Sequence, residues 1–229
     1  MFRRLKILGI VTALIGVAFV LAGGYSFMKV QEGYRSLNAF SAAQNVQLSY
    51  NEDGQLVDRG ETAGAEAIMA LLTDDWGYAV VDSAFDPNDP VVNTSSEYMF
   101  QMATIAYHVL HGTQTIVLDE AVEYNGETFA AGEYEFNVDG RYYADFDRAH
   151  PIEGPARGLA WSAVALGLIG QLGVGAVTDS ALQMGLGLAA ALGAVGFALL
   201  IVGGGLVWAV RPETEAAPVT KPVTVPTPA

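Results

Sequence analysis

Residues 7–28 read ILGIVTALIGVAFVLAGGYSFM, 22 consecutive residues without a charge. A helix rises 1.5 Å per residue, so this run covers about 33 Å, the thickness of a bilayer's hydrocarbon core. Arg3, Arg4 and Lys6 stand just before it, and Lys29 is the first charge after it. A cleaved secretory signal is the rival reading. Its apolar region runs only about 7–15 residues and ends in a small-x-small site, which does not close this run. The pattern therefore predicts an uncleaved signal anchor over 7–28. Basic flanks stay on the cytoplasmic side, which makes residues 1–6 a short cytoplasmic start and sends the next segment out.

A second apolar block runs from Gly158 to Val210, interrupted by Asp179 and Ser180. Its later part, residues 181–210, carries no charge and is long enough to span with tilt. Arg211 follows directly and Lys221 later, which fits a cytoplasmic end and an even number of crossings. Residues 158–180 are apolar but diluted by Gly167, Gly170, Gly173, Gly175, Ser162 and Gln171. They are read as a separate helix lying at the interface or packed on the anchors. A third span is the alternative, and it would place Arg211 on the wrong side. Residues 211–229 hold five of the nine prolines, show no period and predict a disordered cytoplasmic tail of polyproline character.

Both anchors carry small residues at helical spacing: Gly9, Ala13, Gly16 and Gly23 in the first, Gly185, Ala189 and Gly193 in the second. Small faces let helix backbones approach closely in lipid. They suit packing of the anchors on each other, or on another membrane protein.

The charge sits between the anchors. The whole chain has mean hydropathy +0.31 and formal net charge −14, yet residues 29–157 hold 22 acidic and 6 basic residues, a formal −16. Such a surface repels a phosphate backbone, which argues against nucleic acid, and attracts cations and basic partners. The chain has no cysteine, so disulfides, thiolate nucleophiles and cysteine-bound zinc are excluded.

Within 29–157 the pattern predicts an α+β domain. Val30, Tyr34, Leu37 and Phe40 continue the first helix as a stalk. Residues 46–50 and 55–58 read as two short strands around the turn Asn51-Glu52-Asp53-Gly54. A helix over 63–72 takes Thr62 as its cap, and Asp74-Asp75-Trp76-Gly77 ends it. Two prolines make 86–90 a rigid loop. Thr94-Ser95-Ser96-Glu97 fits a capping box, opening a helix that Gly112 stops. On it Tyr98, Met102, Ile105 and Val109 form an apolar face, and Glu97, Gln101, Thr104, His108 and His111 a polar one. From Thr113 to Phe146 the hairpin dipeptides Asn125-Gly126 and Asp139-Gly140 predict a small antiparallel β-meander. The expected architecture is thus α+β, with two transmembrane helices flanking a small extracytoplasmic domain of helices plus that meander.

Chemistry is thinly marked. His108 and His111, three residues apart on one helix face, can share a metal with His150 and a carboxylate. No H-E-x-x-H pattern accompanies them. The acidic pairs Asp86/Asp89, Asp119/Glu120 and Asp145/Asp147 match no calcium loop and fit turn and capping roles. Phosphate-loop, dinucleotide and nucleophile-elbow motifs are absent. The aromatics Tyr134, Phe136, Tyr142, Tyr143 and Phe146 read as core filling before a ligand groove.

The basic start, an anchor containing Ala22-Gly23-Gly24, an acidic ectodomain and a Gly/Ala-rich second anchor together resemble uncharacterised actinobacterial small membrane proteins. Some of those carry a label of aromatic ring-opening dioxygenase. That activity needs a histidine/carboxylate iron site, and no motif here carries it over. The resemblance implies a location in the cell membrane, multi-pass, with the central domain extracytoplasmic. The expected function is a non-enzymatic, membrane-anchored surface or accessory protein whose acidic ectodomain binds a protein or envelope component or supports a membrane complex. No cofactor is predicted for it, and membrane lipid is its first partner. A metal- or carboxylate-dependent envelope hydrolase, using a divalent metal, and an extracytoplasmic sensor acting through a partner are the alternatives.

Overall fold

The computed structural model describes residues 2–210. The expected proline-rich tail lies outside them. Its elements run α1 (Phe2–Gln44), α2 (Thr62–Ala70), α3 (Ser95–Leu110), β1 (Thr113–Leu118), β2 (Val122–Tyr124), β3 (Glu127–Phe129), β4 (Gly132–Asn137), α4 (Glu153–Ala160) and α5 (Ala163–Ala209). The fold is α+β, with small antiparallel sheets. It divides into two units, Met1–Phe27 with Gly187–Ala229, and Met28–Leu186.

The first unit pairs the start of α1 with the end of α5, antiparallel, along a glycine seam. A methyl built on Gly16 would lie 2.8 Å from the Gly196 carbonyl oxygen, and one on Gly9 2.8 Å from that of Gly203. One on Gly23 would lie 2.9 Å from the Ala189 carbonyl oxygen. The first expected stripe thus faces Ala189, Gly196 and Gly203. Gly185 is not on the seam: it belongs to the second unit, where a methyl on it would meet Val30. Both helices are long and apolar enough to cross a membrane, with mean hydropathy 2.5 and 2.3 in their most apolar stretches, of which only 11% is buried.

The second unit is built around α3. No residue from Val91 to Leu110 is exposed, so this helix is covered on every side, as a helix at the centre of a core is. The capping box is present: Thr94 Oγ1 accepts from the Glu97 amide, while Glu97 accepts from the Thr94 amide. The faces differ from the expected ones. The deepest apolar side chains are Phe100, Ala103, Ala106 and Leu110; Tyr98 is also buried, whereas Met102, Ile105 and Val109 are half-buried. Glu97, expected on a wet face, is 2% exposed. Gln101 and Thr104 on the same side are half-buried, and they share a small pocket with residues 47–49 and 57–59.

That segment forms a hairpin too short for strands, held by Val57 N–H donating to Ser49 O at 2.9 Å and by the Tyr50–Leu56 bridge. Asn51 Oδ1 accepts from the amides of Asp53 and Gln55 and sets the turn. Thr62 is not a cap but the first residue of α2. Glu61 precedes it without a side-chain cap, because the tight turn at Arg59-Gly60 joins Asp58 to Glu61 by two backbone bonds.

The meander is replaced by nested pairing. β1 pairs with β4 (Ile116 opposite Tyr134) and β2 with β3, in two separate sheets. Asn125 and Gly126 turn the inner hairpin with φ of 51° and 82°, the left-handed pair a type I′ turn requires. Asp139-Gly140 also turns, but no strand follows; Gly140 N–H donates to Leu110 O and returns the chain to α3.

The break expected at Asp179-Ser180 does not exist. Instead of separate helices over 158–180 and 181–210, α4 ends at Ala160 and α5 runs unbroken from Ala163 to Ala209. The true interruption is at Trp161-Ser162, where Ser162 Oγ accepts from the Ala165 amide at 3.2 Å and caps α5. Leu172 and Ala176 of α5 are buried in one cluster with Ile68, Leu72 and Phe100.

Candidate functional site

In the second unit, α1, α3 and α5 line a cavity of about 250 Å³ that opens to solvent past the exposed Phe40, Gln44, Leu168 and Gln171. Phe40, Val46, Val92, Ile105, Leu168 and Leu172 form its apolar wall, and Ser41, Gln44, Tyr98, Gln101 and Gln171 supply its polar groups. No lining residue is charged.

Tyr98 is fixed at both ends. Ser41 Oγ donates to Leu37 O at 2.9 Å, so its single proton is committed and the Tyr98 hydroxyl donates to it, at 2.6 Å. The ring lies against Gly175, where an added methyl would come within 2.6 Å of it. Gly175 is therefore a clearance for the aromatic wall and not a helix weakness. Gln171 Nε2 reaches Gln44 Oε1 at 3.4 Å, and both residues are exposed, which places these amides at the solvent side.

Two buried carboxylates sit at the start of α3. Glu97 Oε2 accepts from the Asn93 amide (3.0 Å), the Thr94 amide (2.8 Å) and the Thr94 hydroxyl (2.8 Å). Asp179 Oδ2 accepts from the Ser95 amide and from Gln183 Nε2, each at 2.7 Å. Helix N-termini favour negative charge and offer free N–H groups, so both acids are explained by capping. Burial pushes the Glu97 carboxyl up, against the downward pull of the hydrogen bonds it accepts.

Near them Tyr50 carries a buried hydroxyl with no hydrogen-bond partner among the described residues. Burial, with the carboxylates of Glu97, Asp86 and Asp89, pushes it up to about 12. An unsatisfied buried hydroxyl costs about 1–3 kcal/mol. Tyr50→Phe is expected to leave the unfolding free energy, from a urea titration, unchanged or raise it by up to about 1 kcal/mol; a clear loss of stability shows that the hydroxyl has a partner.

The three candidate metal ligands do not come together. His108 Nε2 lies 3.0 Å from Asp58 Oδ1. His111 Nδ1 donates to Tyr107 O at 2.9 Å, with its ring against the Tyr107 ring. His150 Nδ1 accepts from the amides of Ile152 and Glu153 at the start of α4, and its ring packs edge-on to Tyr124 and Phe129. Each imidazole already has a local partner, and among the described residues no three His, Asp or Glu side chains gather as a metal set. Comparison with protein-family models, curated proteins and solved structures finds no match to this chain.

Two of the three acidic pairs shape turns. Asp86 Oδ1 accepts from the backbone and side-chain nitrogens of Asn88. Asp145 accepts from the Tyr142 amide, and Asp147 from the Ala149 amide and the Tyr124 hydroxyl. The Tyr124 hydroxyl is the main cause holding the Asp147 carboxyl below its usual range. Among the aromatics Phe146 is core, whereas Tyr142 and Tyr143 are 41% and 40% exposed. Arg157 stacks on Tyr143 at 4.5 Å.

The cavity escaped sequence reading because its walls come from three separate segments, within 40–46, 92–105 and 168–175. The one local signal was a set of glutamines, Gln44, Gln101 and Gln171, placed in otherwise apolar helical stretches.

Proposed function

We propose that the chain is a membrane-anchored accessory protein whose acidic central unit acts outside the cytoplasm by binding rather than by catalysis. The observation that carries this reading is the first unit. Its helices bury their glycines on each other and leave large apolar side chains outward: Leu14, Leu21, Phe197 and Ile201 are each more than 60% exposed. In water that surface is far larger than a soluble monomer tolerates; in hydrocarbon it costs nothing. Arg3, Arg4 and Lys6 support an orientation with the basic end inside. The binding role is supported by a neutral, largely apolar cavity and by histidines and carboxylates engaged in caps and turns.

Full-length protein is expected to pellet with membranes, resist alkaline carbonate and be released by mild detergent. Protease added to intact cells is expected to cut between residues 46 and 160. Recovery of intact full-length protein in the supernatant overturns the anchoring; protection of the central unit in intact cells, with cleavage after lysis, overturns the orientation.

A further inference from the structure

We propose that the cavity between α1, α3 and α5 is a binding site for a small neutral amphipathic molecule: a compact aromatic or alkyl body bearing one hydroxyl or carbonyl group. This deepens the binding role proposed above and does not depend on the membrane anchoring.

Size sets the body. An apolar cavity of about 150 Å³ accepts benzene, and this one is about 250 Å³, so a bicyclic ring or an equivalent chain of about ten heavy atoms fits by proportion. Shape favours an aromatic, because the Tyr98 ring, held by Ser41 and against Gly175, lines the cavity.

Polarity sets the head group. The hydroxyls of Ser41 and Tyr98 are committed to each other, and the Ser41 proton to Leu37. What remains for a ligand is the carboxamide set of Gln44, Gln101 and Gln171, which donates and accepts but carries no charge. A ligand carboxylate entering the cavity sheds water without gaining a counter-ion, and it enters a domain whose formal charge is −16. A cation meets no carboxylate in the lining. A neutral hydroxyl or carbonyl is the head group that both facts admit.

The test uses the full chain in lipid nanodiscs and β-naphthol as the probe, with binding followed by probe fluorescence. Ile105→Trp, which fills the cavity, is the partner sample in identical nanodiscs, so that partition into lipid cancels. Saturable binding is expected for the native chain and a loss of about tenfold or more in affinity for Ile105→Trp. β-Naphthoate, the same body with a carboxylate, is expected to bind about tenfold or more weaker than β-naphthol. Gln101→Leu, close in volume but without the amide, is expected to weaken β-naphthol and spare naphthalene. Equal signals from the native and filled chains, or equal affinity for alcohol and carboxylate, overturn the proposal. If Ile105→Trp loses helical circular dichroism, the milder Ile105→Phe takes its place with the same expected order. A failed cavity alongside normal membrane pelleting rejects this inference alone, whereas failed pelleting with a ligand-binding cavity rejects only the anchoring.

Discussion

Asp179→Ala is expected to lower the unfolding free energy of the central unit by about 2–3 kcal/mol. Asp179 is 3% exposed and stands on α5, yet its carboxylate accepts from the Ser95 amide, 84 residues away, at 2.7 Å. Alanine removes that charged acceptor and leaves a buried N–H at the start of α3 without a partner. It also frees Gln183 Nε2. A cap lost on the surface costs about 1 kcal/mol; a buried charge-assisted bond adds to that. Asp179→Asn keeps an oxygen for Ser95 and is expected to lose about half as much. Urea titration in mild detergent, followed through buried Trp161, measures both. Equal losses for the two variants, or none, would falsify the capping role.

The second large effect belongs to the glycine seam. Gly16→Leu places its first carbon 2.8 Å from the Gly196 carbonyl oxygen and 2.9 Å from the Leu200 nitrogen. Those are backbone atoms, which cannot rotate away as a side-chain tip does. Overpacking a tight core costs about 1–3 kcal/mol, and a clash with backbone stands at the upper end. Gly24→Leu is the internal control, since a methyl there meets nothing within 4 Å. Leucine also improves helix propensity by up to about 1 kcal/mol over glycine. Gly16→Leu is therefore expected to lower the thermal midpoint in mild detergent sharply while Gly24→Leu leaves it level or raises it. Parallel behaviour of the two variants would sink the seam.

What the sequence revealed and what it hid follow one division. The capping box at Thr94 and Glu97 and the Asn125-Gly126 turn were legible because each is settled by neighbours within four residues. The two apolar stretches were legible from hydropathy alone, but the continuity of the second through Asp179 was not. Pairing of β1 with β4 was not, because the inner hairpin separates them and alternation cannot say which strand a strand meets. Asp179 misled for a physical reason. A lone acid in an apolar run reads as a solvated break, whereas here it is retained inside a continuous helix by the N-terminus of another. The polar face of α3 misled as well, since Glu97 on it is buried and Gln101 and Thr104 are half-buried. Of the candidate site, Tyr98, Gln101, Ile105 and Gln171 were named from the sequence only as helix residues, and the histidines drew attention to chemistry that the folded chain distributes among three separate contacts.

Gly9, Gly16 and Gly23 recur every seventh residue, and Gly203, Gly196 and Ala189 answer them at the same interval. Seven residues fall about 20° short of two full turns, so a helix pair that keeps such a rhythm coils with a left hand. The rhythm also limits how this region can change length. One residue inserted between Gly9 and Gly16 rotates everything before it by about 100° and swings Gly9 out of register. Substitutions on the outward sides are free to drift, but insertions and deletions inside the first anchor are tolerated only as whole heptads.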